Sequence, residues 1–318
     1  MNTYNEITNI IYKIPSEKSI IIAGHENADQ DSICSCLALA YFLRKIGKEK
    51  IEVLVSEKDM YKIKWFSKNN FINTDISKKD YVFVMLDLNR KARLGEFEYF
   101  FDNADFTINI DHHERSKEES NYIVSDTSVS STCEILYNLF QNFNVDIDKD
   151  IASLLYAGIL TDTLCFSQRL TSQTLSIASE LLKYEIDYAY ITKKTYLERS
   201  MDEIIALSEL TKNIKYDCFH YVVMNRDNPI FSTLEYSQLF KKMTPILKNI
   251  ENIDVLGMFL IDGNIVYGEF KSNIDIDVSV LATEFGGGGH KKAAGFTSQL
   301  PLEHILEKSK KYMEREKK

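Results

Sequence analysis

The chain has 318 residues, of which 44% are hydrophobic and 27% charged, and its formal net charge is −9. This composition excludes extensive disorder and leaves room for two cores. The negative charge disfavours a long nucleic-acid duplex, which needs a broad basic face, but allows a short anionic ligand in a local pocket. No apolar run approaches the roughly 18 residues of a membrane span, and the first residues lack a secretory leader pattern. We therefore expect a cytoplasmic protein with no membrane partner.

Five cysteines occur without a CxxC pair, at positions 34, 36, 133, 165 and 218. The odd number and the spacing argue against a disulfide framework or a structural zinc site. We interpret them as small buried hydrophobic residues.

The first half of the chain alternates apolar runs with amphipathic stretches. The predicted strands are 19–25, 51–55, 81–87 and 106–111, and the predicted helices are 31–47, 131–143, 150–160 and 174–185. Continuous apolar strands separated by helices are typical of a parallel sheet that is covered on both faces. The sequence therefore predicts an α/β domain over residues 1–190.

After about residue 190 the pattern changes. Residues 191–213 are predicted to form a largely polar helical linker. Apolar runs in CFHYVVM, DVLGMFLIDG and NIVYGEFKS predict the strands of a second sheet. We expect a smaller α/β domain with a mixed sheet over residues 214–318.

Potential metal ligands end four apolar segments. They are His25, Asp29 and Asp31 in HENADQD, Asp87 in MLD, Asp111, His112 and His113 in IDHH, and Asp162 in GILTDT. Three of the four places follow predicted parallel strands, whose carboxyl ends meet at one edge of a sheet. Carboxylates and imidazoles without thiolates suit Mn²⁺, Mg²⁺, Fe²⁺ or Zn²⁺. Two such ions would relieve the repulsion between the acids and support phosphoryl displacement by water.

Simpler interpretations exist for single residues. A lone Asp after a strand, such as Asp87, is often a turn residue or a helix cap. Ser131 and Glu134 match a capping box, although a helix start there could also attract an anion. His220 and His304 lie outside these motifs and are predicted to lie on a strand and on a surface helix.

A glycine run, Gly286–Gly289, precedes His290, Lys291 and Lys292. Successive glycines allow the backbone to approach a ligand closely and to present N–H groups to an anion. A flexible linker is the alternative, but a linker would rarely lead directly into an apolar segment. We expect a loop that binds a phosphate or a nucleotide; the P-loop pattern GxxxxGK[ST] is absent.

These segments, in this order, resemble the DHH phosphoesterase family, whose name describes the triplet Asp111, His112 and His113. The segment FGGGGHKKAAGF resembles the signature of the DHH-associated C-terminal domain. Within the family, the combination is most similar to the bacterial nano-RNase branch. The resemblance implies a phosphodiesterase or exoribonuclease that hydrolyses di- to pentanucleotides of single-stranded RNA, pAp, or linear dinucleotides such as pApA.

The resemblance also implies a role for each site residue. His25, Asp29 and Asp87 would hold one divalent ion, and Asp31, Asp87, His112 and Asp162 a second, with Mn²⁺ favoured. His113 would face the substrate phosphate, and Asp111 would orient the histidines. The substrate would lie in the cleft between the domains against Lys271, Gly287, Gly288, Gly289 and His290.

The chain departs from the family pattern at a few positions. Ala28, Gln30 and Leu164 stand where proline, glycine and glycine are common, and Lys271 stands where an arginine often occurs. Lysine cannot grip a phosphate with two parallel bonds as arginine does, so the last change concerns nucleotide selectivity.

Three other functions remain open on the sequence. The first motif is also similar to that of manganese-dependent inorganic pyrophosphatases, and relatives of the nano-RNase branch hydrolyse cyclic di-AMP. A non-catalytic nucleotide sensor would be expected to lack some ligands, but all of the expected positions are filled here. A homodimer is compatible with the sequence, which does not fix the oligomeric state.

Overall fold

A computed structural model describes residues 3–68, 70–73, 80–114, 119–234 and 238–317. The chain divides into two compact units, Met1–Glu198 and Arg199–Lys318. The division lies inside the segment 191–213, which we predicted to be a helical linker. Among the residues described, no helix has the length and apolar character to cross a bilayer.

The first unit contains a parallel sheet. Its strands are β1 (Ser19–Ala23), β2 (Ile51–Leu54), β3 (Ile72–Asn73), β4 (Tyr81–Leu86), β5 (Phe106–Asp111) and β6 (Tyr122–Ser125). They lie in the order β3-β2-β1-β4-β5-β6, and every neighbouring pair is parallel. The four predicted strands are present. The two outer strands were not predicted, because they are too short to carry a recognisable apolar run.

Helices cover this sheet. They are α1 (Thr3–Lys13), α2 (Gln30–Lys45), α3 (Glu98–Asp102), α4 (Thr132–Phe140), α5 (Lys149–Asp162), α6 (Ser172–Leu182) and α7 (Tyr188–Thr192), with 3-10 segments at Glu57–Ile63 and Lys91–Phe97 and a π-helical turn at Lys193–Leu197. Phe42 of α2 stacks on Phe140 of α4 with ring centroids 3.9 Å apart, which ties the two helices together in the core.

The strand order gives this sheet a switch point. From β1 the chain proceeds outward to β2 and β3, and it then returns to place β4 on the other side of β1. The connections therefore diverge beyond the carboxyl ends of β1 and β4, which leaves an open crevice between them.

The second unit contains a mixed sheet. Its strands are β7 (Lys215–Asp217), β8 (Phe219–Asn225), β9 (Val255–Asp262), β10 (Ile265–Ser272), β11 (Gly288–His290) and β12 (Ala293–Ser298), in the order β11-β12-β10-β9-β8-β7. Only β8 and β9 pair in parallel. Its helices are α8 (Met201–Lys212), α9 (Pro229–Ser232), α10 (Met243–Leu247), α11 (Val278–Glu284) and α12 (Leu302–Glu316), with a π-helical turn at Gln238–Lys242. The α/β fold with one parallel and one mixed sheet is confirmed.

Several single-residue predictions can be compared with this fold. His220 lies on β8, and His304 is exposed on α12. All five cysteines are free, but only Cys34, Cys36 and Cys133 are buried; Cys165 and Cys218 are partly exposed. The prediction of buried cysteines was therefore wrong for the last two, which lie in a turn after α5 and between two strands.

Candidate metal centre

The switch point brings together one imidazole and two carboxylates. His25 follows β1 and Asp87 follows β4, so both side chains enter the crevice. The His25 Nε2 atom lies 3.5 Å from an Asp87 oxygen and 3.6 Å from an Asp29 oxygen. Asp29 caps α2 through its other oxygen, which accepts a hydrogen bond from the Ser32 amide at 3.1 Å. Asp29 therefore caps α2 with Oδ1, while its Oδ2 atom lies next to His25.

A second group lies beside the first. His112 follows β5, and its Nε2 atom is 3.5 Å from Asp87 Oδ1 and 3.6 Å from Asp162 Oδ2 at the end of α5. Asp31, Asp162 and His112 each offer one ligand atom, and these three atoms lie within 4.8 Å of one another. The same distance limit holds for the set of His25, Asp29 and Asp87. The structure thus gathers all six predicted metal ligands, and Asp87 contacts a histidine of each group.

The backbone of Asp87 is held in an uncommon conformation. Its φ is +66°, in the left-handed region, which Asp and Asn tolerate better than most residues. The Asp87 amide donates to the carbonyl of Ile110 at 3.1 Å. Next to it, the Asn109 side chain donates to the carbonyl of Leu88 at 3.1 Å, and the Thr132 hydroxyl donates to Asp87 Oδ1 at 3.2 Å. These bonds fix the direction of the carboxylate.

Asp31 is buried and binds the start of α4. Its two oxygens accept hydrogen bonds from the amides of Thr132 at 2.8 Å and Cys133 at 3.1 Å. The first amides of a helix have no partner within the helix and attract negative charge. Gly158 of α5 makes room for this contact, since a Cβ atom there would lie 2.6 Å from Asp31 Oδ1. Three helices therefore position one carboxylate.

The electrostatics of the cluster indicate a need for a cation. Burial and the neighbouring charges of Asp87 and Asp162 raise the pKa of Asp31 well above its usual range. Burial also raises the pKa of Asp162, to about 6. For the histidines, burial lowers the pKa, but the surrounding carboxylates outweigh it and raise the pKa of His25 to about 10 and of His112 to about 9. Without another positive charge in the cluster, bound protons would have to neutralise the negative charge of these carboxylates.

The donor set fits divalent metal ions. It consists of carboxylate oxygens and imidazole nitrogens, and it contains no thiolate. The side chains of Asp87, His25 and His112 are nearly inaccessible, so their charges are poorly solvated. A cation in each group would remove the repulsion between carboxylates that raises the pKa values of Asp31 and Asp162.

His113 and Asp111 lie at the edge of the cluster, where the His113 Nδ1 atom is also 3.8 Å from Asp87 Oδ1 and could form a third ligand group with Asp87 and His112. The His113 Nδ1 atom lies 2.7 Å from Asp111 Oδ1, while 27% of the His113 side chain is exposed. Asp111 is buried, and within the described part of the chain its second oxygen has no hydrogen-bond partner. The hydrogen bond of Asp111 thus goes to His113, whereas the Nε2 atom of His112 faces Asp87 and Asp162.

The glycine segment of the second unit differs in secondary structure from the predicted loop. The glycine segment is not a loop, because Gly288–His290 forms β11 and pairs with β12. A Cβ atom at Gly287 would lie 2.1 Å from the Gly295 carbonyl, and one at Gly289 would lie 2.5 Å from the Ala293 carbonyl. Two of the glycines are thus required by close contact with β12, whereas Gly288 faces open space and β11 is exposed.

The basic residues of this unit are paired. Lys271 Nζ lies 2.7 Å from Glu269 Oε1, and Lys291 Nζ lies 2.8 Å from Asp275. Lys292 also lies near Asp275, at 3.7 Å. Arg115 stands two residues after the double histidine, and its position in the sequence is as compatible with a contact to a substrate phosphate as with a solvated surface residue. It lies outside the described residues.

The capping-box prediction was half wrong. Ser131 caps α4 by accepting from the Glu134 amide, as predicted. Glu134 does not bond back to Ser131; its carboxylate is buried and accepts from the amide and hydroxyl of Ser130 and the hydroxyl of Thr174. Sequence spacing cannot distinguish these partners, because Thr174 belongs to another helix.

Sequence reasoning also missed three supporting residues. Thr132 follows the predicted helix cap Ser131, and from the sequence it is only a possible contact for a bound anion; nothing in the sequence assigns Asn109 or Gly158 a role. Asn109 is a polar residue inside a buried strand, and Gly158 interrupts an apolar helix. Both are local conflicts with their element, which was the available signal.

An open parallel sheet that gathers carboxylates and imidazoles at its switch point is typical of metal-dependent hydrolases. The profile of the DHH family N-terminal domain matches residues 19–159, and that of the DHHA1 domain matches residues 232–315. The chain belongs to the DHH family of phosphoesterases and carries a DHHA1 domain after its N-terminal domain.

Two relatives and one solved structure are similar to this chain. A Streptococcus mutans protein named "Probable bifunctional oligoribonuclease and PAP phosphatase NrnA" is 28% identical over 91% of this chain and 92% of its own length. A Bacillus licheniformis protein named "Probable manganese-dependent inorganic pyrophosphatase" is 30% identical, but over 51% of this chain and 54% of its own length. An exopolyphosphatase-related protein from Bacteroides fragilis shares the fold, with a TM-score of 0.86, 22% identity and coverage of 98% of this chain and 96% of that one.

Proposed function

We propose that this protein hydrolyses short oligoribonucleotides and small nucleotide phosphates such as pAp, using two divalent metal ions, with Mn²⁺ as the working ion. The convergence of six ligand side chains at the switch point is the observation that carries the proposal. The NrnA relative supports the substrate class, because its similarity extends over nearly the whole of both chains.

In this proposal each group of the cluster holds one ion. His25, Asp29 and Asp87 would hold the first, and Asp31, His112 and Asp162 the second, with Asp87 shared between them. When bound, the ions supply Lewis-acid chemistry that activates water and neutralises charge on the phosphoryl group. The burial of Asp87 and the hydrogen bonds to Asp31 keep these carboxylates oriented before any ion arrives.

His113 is the proposed acid for the leaving oxygen. Its Nδ1 atom contacts the buried Asp111 carboxylate, so its Nε2 atom remains for the substrate. The carboxylate would hold the imidazole in one orientation, as expected for a histidine that donates a proton. The partial exposure of His113 is consistent with contact to a bound ligand.

The second unit is proposed to bind the nucleotide portion of the substrate. Gly288 and His290 lie on the exposed strand β11, where a flat backbone can approach a phosphate or a base. Lys271 is half-buried beside Glu269, so it would need to exchange that partner for the ligand. Gly287 and Gly289 contribute indirectly, because they allow β11 to lie against β12.

A substrate panel with added Mn²⁺ tests the proposal. It should contain di- to pentanucleotides, pAp, pApA, cyclic di-AMP and pyrophosphate. We expect hydrolysis of the short oligoribonucleotides and pAp, and none of it after chelation of the metal. Faster release of orthophosphate from pyrophosphate than of mononucleotide from any dinucleotide would favour the pyrophosphatase function instead, and binding without turnover would favour a sensor.

A further inference from the structure

Asp29 is the most exposed of the six metal-ligand candidates. Its side chain is 47% exposed, in contrast to 3% for Asp87. It lies in the loop between β1 and α2, where Asn27 has a φ of +56°. Besides the Ser32 amide, which binds Asp29 Oδ1, contacts from outside the loop help to set the position of Asp29.

The 3-10 segment Glu57–Ile63 supplies such contacts. Asp59 accepts a hydrogen bond from the Ala28 amide at 3.0 Å, and Lys62 donates to the Ala28 carbonyl at 2.6 Å. Asp59 and Lys62 also pair with each other at 2.5 Å. The peptide groups on both sides of Ala28 are thus bound to a charged pair whose side chains are only 5% and 11% exposed.

A second set of contacts holds the other side of Asp29. The Gln30 side chain donates to the Lys62 carbonyl at 2.7 Å and accepts from the indole nitrogen of Trp65 at 3.4 Å. Ala28 and Gln30 flank Asp29 directly, so the segment grips both neighbours of the ligand. Trp65 is the single tryptophan of the chain, which makes this contact observable by fluorescence.

From this geometry we infer that Asp59 and Lys62 are positioning residues for the metal centre, acting through Ala28 and Gln30 on Asp29. The inference rests on the proposed metal site. Asp59 and Lys62 bind the peptide groups of Ala28, and their effect is to hold the loop so that Asp29 Oδ2 faces His25 Nε2. Because the pair is buried, removal of one partner leaves an uncompensated charge beside the Ala28 peptide groups.

The test measures Mn²⁺ affinity and stoichiometry by titration calorimetry and by Trp65 fluorescence. Residues that hydrogen-bond to a metal ligand typically contribute 10- to 100-fold in metal affinity. Because Asp59 acts on Asp29 through the Ala28 peptide group, we expect Asp59→Ala to weaken one of two Mn²⁺ sites by about tenfold, the lower end of this range. Asp59→Asn retains an oxygen for the Ala28 amide and should recover part of the loss. Lys62→Met, which keeps the aliphatic chain, should show a loss similar to that of Asp59→Asn.

Glu203→Ala is the matched control. Glu203 is a buried acid that also accepts from a backbone amide, that of Ser200 at 3.0 Å, and pairs with a lysine, Lys242, at 2.5 Å. It belongs to the second unit, so its loss should lower thermal stability without changing Mn²⁺ affinity. Asp59→Asn carries the test if Asp59→Ala does not fold.

Two results would overturn the inference, and they differ. If the wild-type protein binds two Mn²⁺ ions and the Asp59 and Lys62 variants bind them equally well, with only a stability loss like that of Glu203→Ala, the segment has a structural role alone. If the wild-type protein itself binds no Mn²⁺, the proposed metal centre fails and the positioning role fails with it.

Discussion

The metal cluster of the first unit and the glycine segment of the second unit were both predicted from short motifs, but the structure treats them differently. In the cluster, the residues named by the sequence are those whose side chains converge. In the glycine segment, two of the named glycines are required by contact with β12, and only Gly288 faces open space. A motif of reactive side chains indicates its chemistry directly, whereas a motif of glycines can satisfy a packing requirement with no ligand involved.

The largest expected effect comes from the shared carboxylate. Asp87→Asn keeps the size of the side chain and the tolerance for a left-handed backbone, so the fold should survive. Loss of the charge should reduce Mn²⁺-dependent turnover of a dinucleotide by more than about 100-fold, beyond the usual range for residues one step outside a metal. Turnover and circular dichroism check this, with Asp105→Asn, a surface acid paired with Lys18, as the control.

Full activity of Asp87→Asn would contradict the conclusion that the residues of the cluster indicate its chemistry. It would mean that the convergence of ligands around Asp87 is a structural arrangement without a role in the chemistry.

Metal binding should stabilise the two units unequally. Saturation at 100 times the dissociation constant adds about 2.7 kcal/mol to a state that binds one ion. We expect this increase in the amide-exchange protection of α2 and α4, which hold Asp31, and none in β9 and β10 of the second unit. Equal protection of both units on addition of Mn²⁺ would contradict the assignment of the ions to the first unit.

The glycine segment can be divided by two matched substitutions. Gly287→Ala places a Cβ atom against the Gly295 carbonyl and should cost about 1 to 3 kcal/mol of stability, as for other overpacked positions. Gly288→Ala meets no atom within 4 Å and should change stability by less than about 0.5 kcal/mol. Chemical denaturation measures both.

The same pair tests the proposed substrate role. Because Gly288 faces open space, a methyl group there should raise KM for a short oligoribonucleotide while stability is kept. Unchanged kinetics for Gly288→Ala, together with a destabilised Gly287→Ala, would show that the whole segment serves packing alone.

The smallest effect concerns helix caps in the two units. Ser131→Ala and Ser200→Ala each remove a cap that accepts from a backbone amide, and each should cost about 1 kcal/mol of stability. Ser131 begins the helix whose first amides bind Asp31, so only its substitution should also weaken Mn²⁺ binding. Equal Mn²⁺ affinity in both variants would show that α4 holds Asp31 without the cap.

The sequence predicted the parts of the fold that rest on local patterns. The central strands and the long helices have strong apolar runs, and the site residues His25, Asp87 and His112 follow strands whose carboxyl ends must share an edge. The short strands β3 and β6 carry too few residues for a pattern, and the roles of Asn109 and Gly158 depend on elements distant in sequence.

The contact between Asp59 and Ala28 could not be predicted from the sequence. Ala28 stands where a proline is common in the family, and the sequence alone marks this only as a departure. The structure shows that the Ala28 amide donates to Asp59, which a proline could not do because it has no N–H group. A departure in one segment is matched by a partner 31 residues away, and only the folded chain shows the pairing.

The left-handed backbone conformation of Asp87 limits which residues can replace it during evolution. Glutamate, the nearest acidic alternative, has a longer arm and tolerates such a turn poorly, while asparagine fits the turn but carries no charge. Either replacement of Asp87 thus loses the fit to the left-handed backbone or loses the negative charge. Descendants that keep the chemistry should keep this aspartate unchanged, even as the surrounding surface diverges.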